Sequence, residues 1–331
     1  MGFAKSYALP RLIQWAVVIF VGTTVTFIIP RLLPTDPVEQ TLRRISTSMT
    51  DPRAAETLRN ALMDLYGLQG SPLEQFGRFW ARLVRADLGP SLGAFPTPVT
   101  QIIRDGLPWT VGLLGASALI AWVLGIVLGT VAAYFPRSRW LNGIGGVLIT
   151  LYPVPYFILS LVLVMVFAYY IPLFPLVGGA TGSAANLGPY LLSIIQHAFL
   201  PALSLILIQM AFRFIIARAL ASTVIASDPV TYAEVAGLPR RRIIFGYVLR
   251  NSLLPQVTDL ALSLGTVFEG ALITEFVFSY PGIGYRLYTA ILQSDFNMIM
   301  GITIFSIVGI ATAALLIDLL YPLFDPRVRY R

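Results

Sequence analysis

The chain has 331 residues, of which 56% are hydrophobic and only 12% charged, with a mean hydropathy of +0.77. Soluble domains carry about 25% charged residues, so this composition leaves too little polar surface for a water-soluble particle and reads as a polytopic membrane protein. Without cysteine there are no disulfides, thiolate metal sites or catalytic thiols, and the net charge of +7 is a matter of where cations sit around a membrane, not of nucleic acid.

An apolar run from Leu12 to Ile29 follows Lys5 and Arg11 and is long enough to cross a hydrocarbon core of about 30 Å. Pro30-Arg31-Leu-Leu-Pro34 stands after it where a signal peptide would have a small-residue cleavage site. Residues 1–33 are therefore expected to form a cytoplasmic N-terminus and a retained first transmembrane helix.

Residues 34–108 form a polar insert. Its eight arginines (Arg43, Arg44, Arg53, Arg59, Arg78, Arg82, Arg85 and Arg104) balance eight acids (Asp36, Glu39, Asp51, Glu56, Asp64, Glu74, Asp87 and Asp105). Helical periodicity marks Ala54–Tyr66, through Leu58, Leu62 and Leu65, and Pro72–Val84, through Phe76, Phe79, Trp80 and Leu83. Gly89-Pro90 and Pro96-Thr-Pro98 mark loop. The insert is expected to be an extracytoplasmic helical cap.

Residues 109–331 carry five further apolar segments, about Trp109–Tyr134, Gly143–Tyr170, Phe199–Leu220, Val257–Phe278 and Met298–Leu320. With the first span this makes six transmembrane helices in an all-α fold. Breakers punctuate them: Gly125-xxx-Gly129, Tyr152-Pro-Val-Pro155, and Pro201, which is read as opening the fourth. Each fits either a moving helix or ordinary close packing.

Between the fourth and fifth spans, residues 227–255 are the longest water-compatible interruption of the apolar second half. Asp228-Pro229 is a helix-start signal, because the Asp side chain can accept first-turn N–H groups and proline tolerates the first helical position. Gly237-Leu238-Pro239 breaks that short helix. Arg240 to Leu254 then carries Ile243, Ile244, Tyr247, Val248 and Leu254 among four arginines, which reads as a second, amphipathic helix. Such a hairpin gives a soluble partner something to grip; an arginine-rich helix lying on an anionic membrane surface is the alternative.

Charge placement orients the spans. Twelve cations (Lys5, Arg11, Arg137, Arg139, Arg218, Arg240, Arg241, Arg242, Arg250, Arg327, Arg329 and Arg331) share one side with only Asp228, Glu234 and Asp325. The neutral insert and the loops 172–197 and 279–297 lie on the other. Both termini and the hairpin are thus expected in the cytoplasm.

Arg213, Asp259, Glu269, Glu275 and Asp318 fall within or near the apolar segments, where charges are costly and usually face a cavity or a partner. Glu269 is the leading pore-lining candidate, with Arg213 either pairing with it or meeting a substrate carboxylate. Glu275 and Asp318 read rather as interfacial charges near span ends. Tyr152, Tyr156 and Phe157 fit either sugar stacking or packing. His197 is the only histidine and has no carboxylate company, so no metal site is expected.

Four ordered motifs resemble those of the inner-membrane permease subunits of ABC importers, in the dipeptide, oligopeptide and nickel branch. They are Arg31-Leu-Leu-Pro-Thr-Asp-Pro37, Asp87-Leu-Gly-Pro-Ser-Leu92, Phe276-Val-Phe-Ser-Tyr-Pro-Gly-Ile-Gly284 and Leu323-Phe-Asp-Pro-Arg-Val-Arg329. The hairpin resembles that family's coupling loop. Aligned on Gly237, the usual Glu-Ala-Ala falls on Thr231, Tyr232 and Ala233, so the glutamate is missing, and the spacing from Gly237 to Pro255 resembles the peptide branch.

The resemblance implies a bacterial or archaeal cytoplasmic (inner) membrane and a second homologous permease sharing the pore. It further implies two ATPase subunits, or one fused or repeated, which bind ATP and Mg, and an extracytoplasmic solute-binding protein. Thr231, Ala233, Glu234, Gly237, Leu238, Arg240, Arg241 and Pro255 would carry the ATPase coupling, with Glu269, Arg213 and Tyr156 lining the pore. Membrane lipid is the remaining partner. This chain has no catalytic residues in that reading, no cofactor of its own, and no Gly-rich loop ending in Gly-Lys-Ser/Thr with which to hydrolyse ATP. Peptides, short oligosaccharides and nickel complexes all remain open as substrates. An ion-coupled secondary transporter would show inverted repeats and an acidic relay, and a membrane enzyme would need a nucleophile with its base; neither pattern is visible.

Overall fold

A computed structural model describes residues 8–32, 38–39, 42, 52–65, 67–182, 185–265, 267 and 271–324. These form two compact units, residues 1–108 with 282–319, and residues 109–281 with 320–331. Among the described residues the regular structure is helical throughout.

The first unit contains α1 (Leu9–Leu32), α2 (Pro52–Leu65), α3 (Pro72–Val84), the opening turns of α4 (Val99–Tyr134), α11 (Ile283–Leu292) and most of α12 (Phe296–Phe324). Helix α3 starts sharply because Ser71 and Glu74 form a reciprocal capping box and Pro72 occupies the first turn. Helices α1 and α12 run antiparallel, joined by Trp15 Nε1 donating to Thr312 Oγ1 at 3.1 Å and by Arg11 and Asp318 at 3.3 Å. Asp318 is therefore paired near the helix end.

The Asp87-Leu-Gly-Pro-Ser motif is held by one buried carboxylate. Asp295 Oδ2 accepts from Ser91 Oγ at 2.5 Å and from the Gly93 N–H at 3.0 Å, while Oδ1 accepts from the Met298 N–H at 3.1 Å. Asn297 Nδ2 adds a bond to the Pro90 carbonyl at 3.0 Å. Asp295 thus fastens the loop to the first turn of α12. Beneath it Val99, Ile102, Ile103, Ile283, Met298 and Ile302 make the apolar core.

The second unit holds the rest of α4, then α5 (Arg139–Leu151), α6 (Tyr156–Val164, continuing as a π-helix over Met165–Tyr170), α7 (Leu187–Ile225), α8 (Asp228–Val235), α9 (Arg250–Gly265) and α10 (Leu272–Val277). Helices α4 and α7 approach closely at the glycine pair. A Cβ on Gly125 would lie 2.7 Å from Arg213 Cβ, and one on Gly129 only 2.6 Å from the Phe214 carbonyl oxygen.

Helices α1, α4, α7 and α12 are each long and apolar enough to cross a membrane, which makes the chain a polytopic all-α membrane protein. Three expected segments differ in detail. Tyr152-Pro-Val-Pro155 bends α5 against α6 by 105°, so the pair makes a fifth crossing only as a broken span. Pro201 does not open the fourth span but lies inside the 39-residue α7, where its carbonyl accepts from Ser204 Oγ at 2.7 Å and the Ser204 and Ser160 hydroxyls are 3.0 Å apart. Val257–Phe278 is shared between α9 and α10, with residues 266 and 268–270 outside the described set.

Candidate functional site

The hairpin after α7 is built from the backbone outward. Ser227 sits at the N-cap of α8, but its hydroxyl donates back to the Val224 carbonyl at 2.6 Å and caps nothing; Asp228 and Pro229 occupy the first turn. The expected side-chain cap is thus replaced by backbone bonds, Val230 N–H and Thr231 N–H both donating to the Ser227 carbonyl.

At its far end the helix closes in a Schellman motif. Leu238 N–H donates to the Ala233 carbonyl at 3.1 Å and Gly237 N–H to the Glu234 carbonyl at 3.0 Å, with Gly237 at φ +72°. That left-handed conformation is why glycine stands here. The turn tucks Leu238 against the buried cluster that includes Ala233, as the apolar contact of this motif does.

The chain then runs without a break from a helical turn at Arg240–Arg242 through a π-helix over Ile243–Leu249 into α9. The π-helix explains the mixed apolar spacing, because its wider turn puts Ile243 and Val248, five apart, on one face. Both pack with Ala221, Val230 and Ala233 in a single buried cluster. Only Val230 and Ala233 of α8 are buried; Tyr232 is 73% and Val235 83% exposed, beside exposed Thr231, Glu234, Arg241 and Arg242. Tyr134, at the end of α4, donates to Glu234 Oε1 at 2.9 Å, and the Arg240 guanidinium lies 5.9 Å from the Phe135 ring. Together with Leu238 and Ile243 they line an open cavity of about 440 Å³. Pro255 lies inside α9, away from this turn.

A second cavity of about 400 Å³ in the same unit brings together Arg213 and Tyr156, with Tyr152, Gln209, Phe212, Asp259 and Ser263. Arg213 is held from three sides. Its Nη2 donates to Ser263 Oγ at 2.7 Å, its Nη1 reaches the Gln209 carbonyl and Oε1 at 3.3 and 3.2 Å, and its Nε forms an ion pair with Asp259 Oδ2 at 3.2 Å that lacks hydrogen-bond geometry. Both groups line the cavity, and with the Arg213 side chain 6% exposed and Asp259 37%, the carboxylate is the more accessible of the two. The ring of Phe212 stacks on Tyr152 with centroids 6.0 Å apart.

Asp259 is thus the partner that the structure gives Arg213; Glu269, expected to line the pore, lies outside the described residues. Glu275 is not an interfacial charge: it is fully buried and accepts from Thr110 Oγ1 at 2.8 Å. Burial, with this carboxylate adding to it, pushes the nearby Tyr280 phenol up to about 12. His197 is buried against the Ser193 carbonyl at 2.7 Å, and among the described residues no three His, Cys, Asp or Glu side chains gather as a metal would need. The motifs at Arg31–Pro37 and Leu323–Arg329 fall mostly outside the described residues.

Two signals for the cavity were in the sequence. Gln209 and Arg213, and Asp259 and Ser263, each stand four apart in apolar helices and so share a face. The Tyr134–Glu234 contact had no such signal, since its partners are 100 residues apart.

A polytopic helical protein whose second unit carries a short, outward-facing helical hairpin and a polar cavity belongs among membrane transport subunits. Residues 125–330 match the family described as the binding-protein-dependent transport system inner membrane component, and the chain is a member of that family, a permease subunit of an ABC importer. It is 31% identical over 337 residues, 95% of each chain, to the probable D,D-dipeptide transport system permease protein DdpB of Escherichia coli (strain K12). It is 29% identical to the oligopeptide transport system permease protein AppB of Bacillus subtilis (strain 168), over 98% of this chain and 99% of that one. With the oligopeptide transport system permease protein OppB of Salmonella typhimurium it shares 28% identity over 98% of this chain and 99% of the other.

Proposed function

We propose that the chain is one of two homologous permeases forming the pore of an ATP-driven importer of peptides, and that residues 227–255 couple the pore to ATPase subunits on the cytoplasmic side. One observation carries the coupling assignment: α8 buries only Val230 and Ala233 and turns Thr231, Tyr232, Glu234 and Val235 outward on a helix whose end is fixed by Gly237. A helix lying on lipid would expose an apolar stripe flanked by cations, whereas α8 carries no cation and presents Asp228 and Glu234. Peptide is the substrate class in the names of the relatives. A cavity with one guanidinium, one carboxylate and three aromatic rings suits an oligomer with charged termini better than a neutral sugar.

In this reading Ala233 and Leu238 hold the hairpin together, and Thr231, Glu234, Arg240 and Arg241 meet the ATPase. Arg213 and Tyr156, with Glu269, line the pathway. The cationic side that includes the hairpin and both termini faces the cytoplasm, and the neutral insert 34–108 faces a solute-binding protein outside. ATP and Mg are bound by the partner subunits.

The test is cysteine crosslinking in the assembled complex, which starts from a chain without cysteines. Val235→Cys is expected to crosslink to an ATPase subunit and Ala233→Cys, buried in the hairpin core, is not. Absence of a Val235→Cys crosslink in a complex that hydrolyses ATP would remove the assignment.

A further inference from the structure

Helix α3 of the insert has three faces, not two. Phe76, Phe79, Trp80 and Leu83 form one, half-buried against α1: Trp80 stacks on Phe20 with centroids 5.5 Å apart, Phe76 and Phe79 meet Phe27 at 5.3 and 5.1 Å, and Arg31 Nε donates to Gln75 Oε1 at 3.2 Å. Glu74, Arg78, Arg82 and Arg85 form a second. Arg78 and Arg82 line a small cavity of about 110 Å³ with Asp64, Asp87 and Asn297. The third face, Leu73, Gly77, Ala81 and Val84, is apolar and exposed, with Leu73 at 80% and Val84 at 82%. A helix with its apolar arc this wide has been left half uncovered.

What covers the third face follows from register. The contacts pair Arg31 with Gln75, Phe27 with Phe76 and Phe20 with Trp80, so α3 runs antiparallel to α1 and starts at its C-terminal end. Two antiparallel right-handed helices touching along one stripe turn their next stripes, a quarter turn on, to the same side. On α1 that stripe is Val17, Val21, Val25 and Ile28, and on α3 it is Leu73, Gly77 and Val84. The four α1 residues are 42–53% exposed on a helix long and apolar enough to span a membrane. Phe20 lies twelve residues before Leu32, about 18 Å along the axis at 1.5 Å per residue, so α3 descends beside the apolar part of the span.

We infer that α3 lies within the membrane, in the leaflet at the C-terminal end of α1, with Leu73, Ala81 and Val84 against lipid acyl chains. The lipid surface of α1 continues across α3 without a step. Arg78 and Arg82 line the cleft with Asp64 and Asp87, on the side away from Leu73, Ala81 and Val84, so neither of these guanidinium groups is placed against the acyl chains. Part of the insert is thus a membrane element that sets the edge of the first unit, and not a cap standing in water.

Nitroxide labels on the full complex in lipid nanodiscs test this. Val84→Cys and Leu73→Cys are expected to collide with dissolved oxygen several-fold more often, relative to a water-soluble nickel chelate, than Arg78→Cys. Lipids spin-quenched at mid-chain should likewise broaden only the first two. If the labels at residues 73 and 84 are as accessible to the nickel chelate as that at residue 78, the helix stands in water and the inference is overturned. If they collide with neither reagent, a protein partner covers the face, which overturns it equally.

Discussion

Replacing Gly237 separates the hairpin's geometry from its sequence. A Cβ at this position meets nothing within 4 Å, so the cost of a side chain comes only from the backbone at φ +72°. For an L-residue that cost is about 1–2 kcal/mol, larger for a β-branched one, which lowers the population of the native turn by roughly 5–30-fold. It is far below the ~5–15 kcal/mol stability of a folded domain, so the protein should still insert and assemble. Gly237→Val is therefore expected to release the Leu238–Ala233 and Gly237–Glu234 bonds and to lose most substrate-stimulated ATP hydrolysis in the reconstituted complex. Gly237→Asn, which tolerates the left-handed region, should retain most of it. Full coupling in the Gly237→Val complex would refute the argument, as would equal loss in both variants.

Three further outcomes follow from the packing. Asp295→Ala removes the acceptor for Ser91, Gly93 and Met298 at once and should destabilise the first unit by about 1–3 kcal/mol, read as a lower melting temperature in detergent. Gly129→Val places a branched side chain where even a Cβ would be 2.6 Å from the Phe214 carbonyl, and should prevent recovery of folded protein, whereas Gly112→Val, with open space around it, should be tolerated in expression and size-exclusion profiles. Arg213→Met and Asp259→Asn should each lower transport, and the double variant should lose less than the two losses combined, because each single change leaves one charge without its partner. A strictly additive cycle would show that the pair acts as two separate groups.

The legible parts of this chain were those written in local chemistry. Four long apolar helices, the helix breaks at Gly237-Leu238-Pro239 and Tyr152–Pro155, and the close-packing Gly125–Gly129 pair are all visible from composition and spacing. The depth of Pro201 inside α7 was not, because a proline reads as a helix start as readily as an interior break, and only the fold shows that the helix begins fourteen residues earlier, at Leu187. Nor was the burial of Glu275, which depends on Thr110, 165 residues away. For Arg213, the sequence showed a guanidinium within an apolar helix and offered Glu269 or a substrate carboxylate to meet it; its pairing with Asp259 required the fold to bring α7 and α9 together. The third face of α3 was equally hidden: its aromatic stripe is plain in the sequence, yet only the register against α1 shows which stripe remains uncovered.

The most direct measurement is ATP hydrolysis by the complex recovered with the tagged full-length chain from its native membrane in mild detergent, assayed with and without the co-recovered solute-binding protein loaded with peptide. A second permease and ATPase subunits are expected to be retained, and peptide-loaded binding protein to stimulate hydrolysis. A chain recovered alone, or a complex whose hydrolysis responds to oligosaccharide and not to peptide, would contradict the peptide-importer assignment.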